Sequence, residues 1–490
     1  MRVKAATTGA LAAALATLLF ATGTAAGKTF RVTVTGDPEP GACTRKRCSL
    51  REAILAANKT PARDRIVLPN RARPYTLALL PDEDSEPETG DLDVLKPLSI
   101  VHPGKGFATI DGNGLDRVLD IDRGAATLLR KIVIRNGRTD GDGAGIETAS
   151  NLRLVRSKVV RNRSGDDGGG IDLDEEATLI MRRSVVSRNV ADSSGGGINT
   201  SGDGPSLIVG SRITDNRAEN DEGGGISLAS GDDYRVVRSV VSRNFAGDAG
   251  GGIEADASRL VVRRSTIAAN TTQAQGGAIS STGASGTVEI ESSTISGNES
   301  TIHGGGVSLV NARGTLRNST LAGNRAYNLG GALYALGISS SVRLNAVTIA
   351  RNVADPDALP VNPPGGGGLF VQDATVSVNN SLIALNRGSQ QANDCAGPIK
   401  SLGNNLLSVA SPGFDRPSDR VAPNPKLGPL KRNGGPTATI ALNKGSPAID
   451  KANRRTAPKR DQRGRKRGKR PDIGAYERTP QRRGRKLSRR

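Results

Sequence analysis

Ser184-Val-Val-Ser-Arg-Asn189, followed after a short polar stretch by Gly195-Gly-Gly-Ile198, is one copy of a motif that recurs along the chain. The pattern Ser-x-(Val/Ile/Leu)-x-x-Asn places Asn at 162, 189, 216, 244, 270, 298, 324 and 386. Asn136 and Asn352 carry it with Lys131 and Val347 in place of the Ser. From 136 to 352 the spacings run 26, 27, 27, 28, 26, 28, 26 and 28. Glycine runs keep the same phase: Gly168, Gly195, Gly223 and Gly250 each open Gly-Gly-Gly-Ile, and Gly276, Gly304 and Gly330 open close variants.

A fixed period of this length means a solenoid, a propeller or a stacked array. The apolar stretches between the motifs are short and rich in Val, Ile and Thr, as in Leu207-Ile-Val209 and Leu260-Val-Val262, and read as strands. No repeat holds a helical stretch long enough for helical or leucine-rich repeats, and the Trp-Asp propeller signature is missing. The expected fold is therefore all-β: a right-handed, single-stranded parallel β-helix with coils of about 26–28 residues, each of three short strands. Stacked coils lie about 4.8 Å apart, so equivalent residues form ladders. An inward Asn can bond the Asn above and below it, the Ser suits a narrow inner corner, and the Gly run allows close approach. Asn162, Asn189, Asn216, Asn244, Asn270, Asn298 and Asn324 are read as this structural ladder, not as catalytic residues. Between Asn352 and Asn386 the spacing widens to 34, and the proline-rich insert 355–364 reads as a projecting loop.

The composition agrees. Gly accounts for 62 of 490 residues, nearly twice the ordinary share of about 7%, without a collagen register. Eleven aromatic residues and no Trp argue against a core of large side chains and against base-stacking platforms. Two isolated His leave no His-based metal site and no Ser-His-Asp triad.

Residues 1–26 read as a secretory signal, with Arg2 and Lys4 ahead of an apolar core from Leu11 to Phe20 and a Thr24-Ala-Ala26 cleavage site. A membrane span would need about 20 apolar residues, and this core is shorter. Export favours a Cys43–Cys48 disulfide over zinc, which lacks further ligands nearby. Cys395 is left as a free thiol or an intermolecular partner. Ser49-x-x-Glu52 is a capping box opening a short helix that ends near Asn58, with Leu50, Ile54 and Ala57 on one face to cap the first coil. The expected organisation is signal peptide 1–26, N-terminal cap 27–64, β-helix 65–400, closing segment 401–477 and basic tail 478–490.

Cys48-Ser-Leu-Arg-Glu-Ala-Ile54, Gly90-Asp-Leu-Asp93, Ile110-Asp-Gly-Asn-Gly-Leu-Asp-Arg117 and Ile132-Val-Ile-Arg-Asn-Gly137 resemble the secreted β-helix proteins named for their CSLREA motif. Asn433-Gly-Gly-Pro436, Gly445-Ser-Pro-Ala-Ile-Asp450, Asp461-Gln-Arg-Gly464 and Asp472-Ile-Gly-Ala-Tyr-Glu477 resemble the choice-of-anchor Q domain. The resemblance implies an exported right-handed β-helix, often displayed at the cell surface, with no established activity. Members commonly carry a sorting or anchoring segment after the final motif, whereas Glu477 is followed here by a basic stretch to Arg490. Cys395, in Asn393-Asp-Cys-Ala-Gly397, resembles a position that often has a second Cys downstream.

Chemistry is sparse. Galacturonan hydrolases of this fold would show Gly-His-Gly and paired Asp signatures, which this chain lacks. The turn before each glycine run carries Asp140 and Asp142, Asp166 and Asp167, Asp192, Asp221 and Glu222, then Asp248, an acidic stripe once coils stack. Like charges one coil apart repel unless a cation lies among them. Asp166, Asp167, Asp221 and Glu222 are thus calcium candidates, although no cofactor is required. The row of Arg135, Arg161, Arg188, Arg243 and Arg351 could instead neutralise the acids and leave a solvated edge. His303 is expected to be an exposed turn residue rather than a general base.

The formal charge of +20 is unevenly placed. Residues 451–490 hold 18 Lys or Arg against 3 acids, whereas 27–450 hold 48 against 45. Arg463-Gly-Arg-Lys-Arg-Gly-Lys-Arg470 would attract anionic cell-envelope polymer, lipid headgroups or nucleic acid in a salt-sensitive way; otherwise it is a solvated loop ahead of a disordered terminus. Export argues against chromosomal DNA as a specific partner. The expected function is an exported, surface-associated, monomeric binding, adhesion or structural module for polysaccharide, without catalysis. The alternative is a polysaccharide lyase or hydrolase using Asp, Glu and Arg on one face.

Overall fold

The computed structural model describes residues 27–81, 87–202, 204–354, 365–388 and 391–478. The signal-like segment 1–26, the proline-rich insert 355–364 and the terminus 479–490 lie outside the described residues.

One coil shows how the chain folds. Leu152–Val155 forms a strand of sheet 1, and Arg156-Ser157 turns the corner into Lys158–Val160 of sheet 2. After Asn162, Arg163–Ser164 joins sheet 3, and the glycine run leads into Ile171–Leu173 of sheet 4. The next coil repeats this in parallel register: Leu152 pairs with Leu179, Val159 with Val186, Ser164 with Ala191 and Ile171 with Ile198. The four sheets hold 14, 14, 11 and 12 strands among the described residues. The protein is a right-handed parallel β-helix. Each regular coil has four strands rather than the expected three, because the two residues after the corner Asn straighten and pair with their counterparts before the glycine loop begins.

Alternation sorts the side chains. Leu152, Leu154, Val159, Ile171 and Leu173 point inward and are buried, and their equivalents stack into one continuous core. Two polar ladders run through the corners. Each corner Ser takes the backbone N–H of the Ser in the preceding coil, as Ser184 Oγ does from Ser157 at 3.0 Å. Each Asn Oδ1 accepts both the backbone N–H and Nδ2 of the preceding Asn: Asn189 takes them from Asn162 at 3.1 and 2.9 Å. This ladder runs through Asn216, Asn244, Asn270, Asn298, Asn324 and Asn352 to Asn386, and ends on Asp394. Asn136 is not part of it. Lys158 pairs with Val133, so Asn162 faces Gly137, whose N–H it accepts at 2.9 Å. Asn136 stands one residue earlier, in the left-handed place that Arg161 fills in the next coil.

The N-terminal end is closed by the helix Leu50–Asn58, whose capping box is formed by Ser49 and Glu52. Leu50, Ala53, Ile54 and Ala57 sit on the first-coil core. Arg51 is buried, bonding Asp37 and the carbonyls of Thr89, Gly90 and Asp91. Cys43 and Cys48 form a disulfide, and Cys395 is a buried free thiol. Coil strands extend beyond the expected 65–400: Thr29–Arg31 pairs with Asp64–Val67, and Arg420–Val421 pairs with Leu406–Leu407.

The segment 427–478 does not continue the shaft. The hairpin Leu427–Lys431 and Thr439–Leu442 and the loops after it fold back along the outside of sheet 2. There the outward row changes from Lys158, Val185, Arg212 and Val240 to Thr266, Thr294, Thr320, Thr348 and Leu382. Small side chains admit the segment: Ile440 packs on Ala322 and Ala350, and Ile473 on Leu382 and Ala384. Gln462 reaches Ser293 O, Thr294 Oγ1 and Thr320 Oγ1. The basic run is therefore partly structural rather than a solvated loop. Arg463 is buried in an ion pair with Asp461, and Arg467 bonds Glu477, Gly474 O and Asn318. No described helix is long and apolar enough to cross a membrane.

Candidate functional site

Strands of sheet 4 run inward–outward–inward, as in Leu92-Asp-Val94 and Ile146-Glu-Thr148, so that the residue after the first points outward. Paired in register, these residues form the row Asp93, Asp120, Glu147, Asp172, Asn199, Ser227, Glu254 and Ser280. The first glycine of each run lies over the row. At Gly168 (φ +61°) a Cβ would fall 2.6 Å from Asp172 Cβ, and at Gly195 (φ +64°) 2.5 Å from Asn199 Cβ. That contact and the left-handed backbone both require Gly there. From Asp172 onward the glycine ridge covers the row, leaving Asp172 3% and Glu254 1% exposed.

Toward the N-terminus this cover changes. Counting back from the paired Leu119 and Ile146, Asp116 and Arg117 occupy the places that Gly143 and Ala144 fill one coil later. Asp93 and Asp120 are half-buried there rather than covered, and Glu147, although Gly143 lies over it, is half-buried as well. Arg117 stands among them. Its guanidinium bonds Asp120 at 3.0 Å, Asp91 at 3.4 Å and Asp142 O at 3.2 Å, and it pairs with Glu147. Burial opposes its charge, yet Glu147, Asp91 and Asp120 outweigh burial and hold its pKa above the usual value.

The carboxyls respond the other way. Burial, reinforced by Asp93, pushes Asp91 up to about 7 despite Arg117. Burial and Asp120 push Asp93 to about 6, and burial raises Glu147 to about 7 against the pull of Arg117. Asp172, more deeply covered, rises to about 8. Two trios bring one carboxylate oxygen from each member within 4.8 Å of the others: Asp91–Asp93–Asp120 and Asp142–Asp166–Asp167.

The four calcium candidates read from the stripe thus divide. Asp166 and Asp167 meet, but their third member is Asp142. Asp221 and Glu222 do not join them, because the coil of Asp192, Ser193 and Ser194 intervenes; Ser194 N donates to Asp167 Oδ1 at 2.7 Å. Glu222 is raised to about 7 by burial and by Asp248, Asp256 and Asp221. The Arg row does not neutralise the stripe. Arg161, Arg188, Arg243 and Arg351 lie at the corner between sheets 2 and 3, where Arg243 pairs with Asp215 of its own row, and Arg135, in the strand one place earlier, pairs with Asp111. Within the stripe only Asp192 has an ion pair among the described residues, with Arg163. His303 is not an exposed turn residue either: it is half-buried, stacked 4.5 Å from Tyr334, with its Nδ1 buried and unbonded.

The sequence reading missed Asp91, Asp93, Arg117, Asp120 and Glu147 as a site. Their signal was present in Leu92-Asp-Val94, Leu119-Asp-Ile121, Ile146-Glu-Thr148 and Ile171-Asp-Leu173, acids flanked by inward-facing, mostly apolar residues at the coil period. Residues 142–321 match the family described as right handed beta helix region. No curated protein matches the chain significantly. Among solved structures it is similar to a crystal structure of pectate lyase Pel9A, at 15% identity and a TM-score of 0.40, over 93% of this chain and 98% of that one.

Proposed function

We propose that this protein is an exported, surface-held β-helix that binds polysaccharide without cleaving it, as a monomer, through the acidic basin on sheet 4. The carrying observation is the opening in the glycine cover, where Arg117 stands among Asp91, Asp120 and Glu147. Carboxylates there accept hydrogen bonds from sugar hydroxyls and Arg117 donates to sugar oxygens. Calcium, taken by oxygen ligands of the two trios, relieves their repulsion. The signal-like segment 1–26 and the Cys43–Cys48 disulfide support export.

A polysaccharide-cleaving enzyme is the second reading. Asp91 and Glu147, both near 7, favour it, since a general acid or base works best near ambient pH. Against it, Arg117 is held charged by three carboxylates and does not serve as the base. The test is a glycan array with and without calcium, followed by product assays on the bound glycans. Retention without new reducing ends or unsaturated products is expected. Asp93→Asn with Asp120→Asn should weaken binding about tenfold, the loss of two charge-assisted contacts. Calcium-dependent cleavage would establish the enzyme instead.

A further inference from the structure

The segment 456–464 and the shaft edge between sheets 1 and 2 enclose a cleft of about 760 Å³. Its exposed cations are Arg238, Arg264 and Arg317 on the shaft and Lys459 and Arg460 on the folded-back segment. Its two acids are already engaged: Glu291 pairs with Arg263 at 2.8 Å, and Asp461 is buried against Arg463 at 2.7 Å. None of the five exposed cations has an ion pair among the described residues. The walls are fixed, because Asn318 Nδ2 donates to Arg460 O at 2.8 Å and Asn345 Nδ2 to Thr456 O at 3.0 Å.

The cleft has a continuation. Arg238 and Arg264 belong to the left-handed corner row Lys131, Arg156, Arg183, Gly210, Arg238 and Arg264. These corners step by about 4.8 Å, within the Debye length of about 8 Å at physiological salt. Neighbouring cations on either side of the gap at Gly210 therefore repel one another and jointly attract an anion.

We propose that the cleft and this basic edge bind an anionic polysaccharide carrying one carboxylate per sugar. The cavity has the size of a small-ligand site, enough for sugar units rather than an inorganic ion. Arg forks match carboxylates in bidentate fashion, and a polyuronate offers one carboxylate per sugar to one corner per coil. Among the described residues the cleft has no aromatic lining on which bases would stack, which separates it from a single-stranded nucleic-acid groove. The site lies on a different edge from the acidic basin and does not rest on that basin binding glycan.

Titration calorimetry with an oligogalacturonate at low salt tests it on the whole protein. Arg238→Ala/Arg264→Ala/Lys459→Ala should weaken binding at least about tenfold and flatten its salt dependence, with an unchanged circular dichroism spectrum. Removing as many charges from the far end, Arg45→Ala/Lys46→Ala/Arg47→Ala, should leave binding within about twofold of the parent. Polyphosphate and single-stranded DNA should bind more weakly. Failure to bind, or an equal loss in the far-end variant, would overturn the proposal. Polyphosphate or DNA binding as tightly through the same three residues would overturn the assignment to a carboxylated glycan.

Discussion

The side chain and N–H of Asn216 carry five hydrogen bonds in a place water does not reach. Its Oδ1 accepts Asn189 N and Nδ2 at 3.1 and 3.0 Å, and its Nδ2 donates to Asn244 Oδ1 and Val186 O at 3.0 and 3.2 Å. Its own N–H donates to Asn244 Oδ1 at 3.0 Å. Asn216→Ala leaves the Asn189 donors facing a methyl group, and each orphaned buried donor costs about 1–3 kcal/mol. Urea unfolding should show a loss of about 3 kcal/mol; a loss under about 1 kcal/mol would make the ladder incidental. The ladder was legible in the sequence because the same side chain performs the same task in every coil. Asn136 carries the same motif yet stands outside the ladder. A motif count finds an Asn near the right spacing, whereas the position is decided by pairing, which sets Gly137 opposite Asn162. Arg117 and its acids were harder still, since an outward strand residue is solvated or covered according to what the preceding loop places above it.

At the scale of elements, the coil period, the capping helix and the glycine runs could be read because each repeats or follows a local rule of geometry. The fold-back of 427–478 could not. Its signal is a gradual exchange of Lys, Val and Arg for Thr and Ala on the outward face of sheet 2, which in sequence looks like ordinary strand variation. Gln462 fastens it: the two N–H groups of Nε2 are shared among Ser293 O, Thr294 Oγ1, Thr437 Oγ1 and Ala438 O, all at 2.9–3.0 Å, and Oε1 accepts from Thr320 Oγ1 at 2.6 Å. Gln462→Ala should loosen this segment while sparing the coils. Hydrogen exchange in 427–478 should rise about tenfold or more, with the strands from Leu179 to Glu291 unchanged. Equal protection in both proteins would mean that the apolar contacts of Ile440 and Ile473 hold the segment by themselves.

Over the whole molecule, the fold separates charge that the sequence lists only by position. Acids collect on sheet 4 in the N-terminal coils, and free cations collect at the corner between sheets 1 and 2, where the basic segment docks. The buried acids set the pH dependence of stability. Asp172 titrates at about 8 in the folded protein, and an unfolded Asp at about 3.9. Between these values the folded state holds the extra proton, so this contribution is complete below about pH 4 and is lost as pH rises toward 8. Asp91, Glu147 and Glu222, each near 7, act in the same direction. Asp215 and Asp233, held low first by hydrogen bonds from Arg243 and Arg235, act oppositely and lose their contribution in strong acid. Stability should therefore peak on the acid side, with a melting temperature several degrees higher near pH 5 than near pH 8.5. Asp172→Asn keeps an oxygen to accept the 2.9 Å bond from Asn199 Nδ2 but cannot ionise, so it should shrink that difference. Calcium should shrink it as well if the trios hold the ion, because a bound cation replaces the protons that Asp91 and Asp93 otherwise keep. A melting temperature that climbs steadily from pH 5 to 8.5 would mean that these carboxyls are ionised in the folded protein and that the basin is wetter than its geometry indicates.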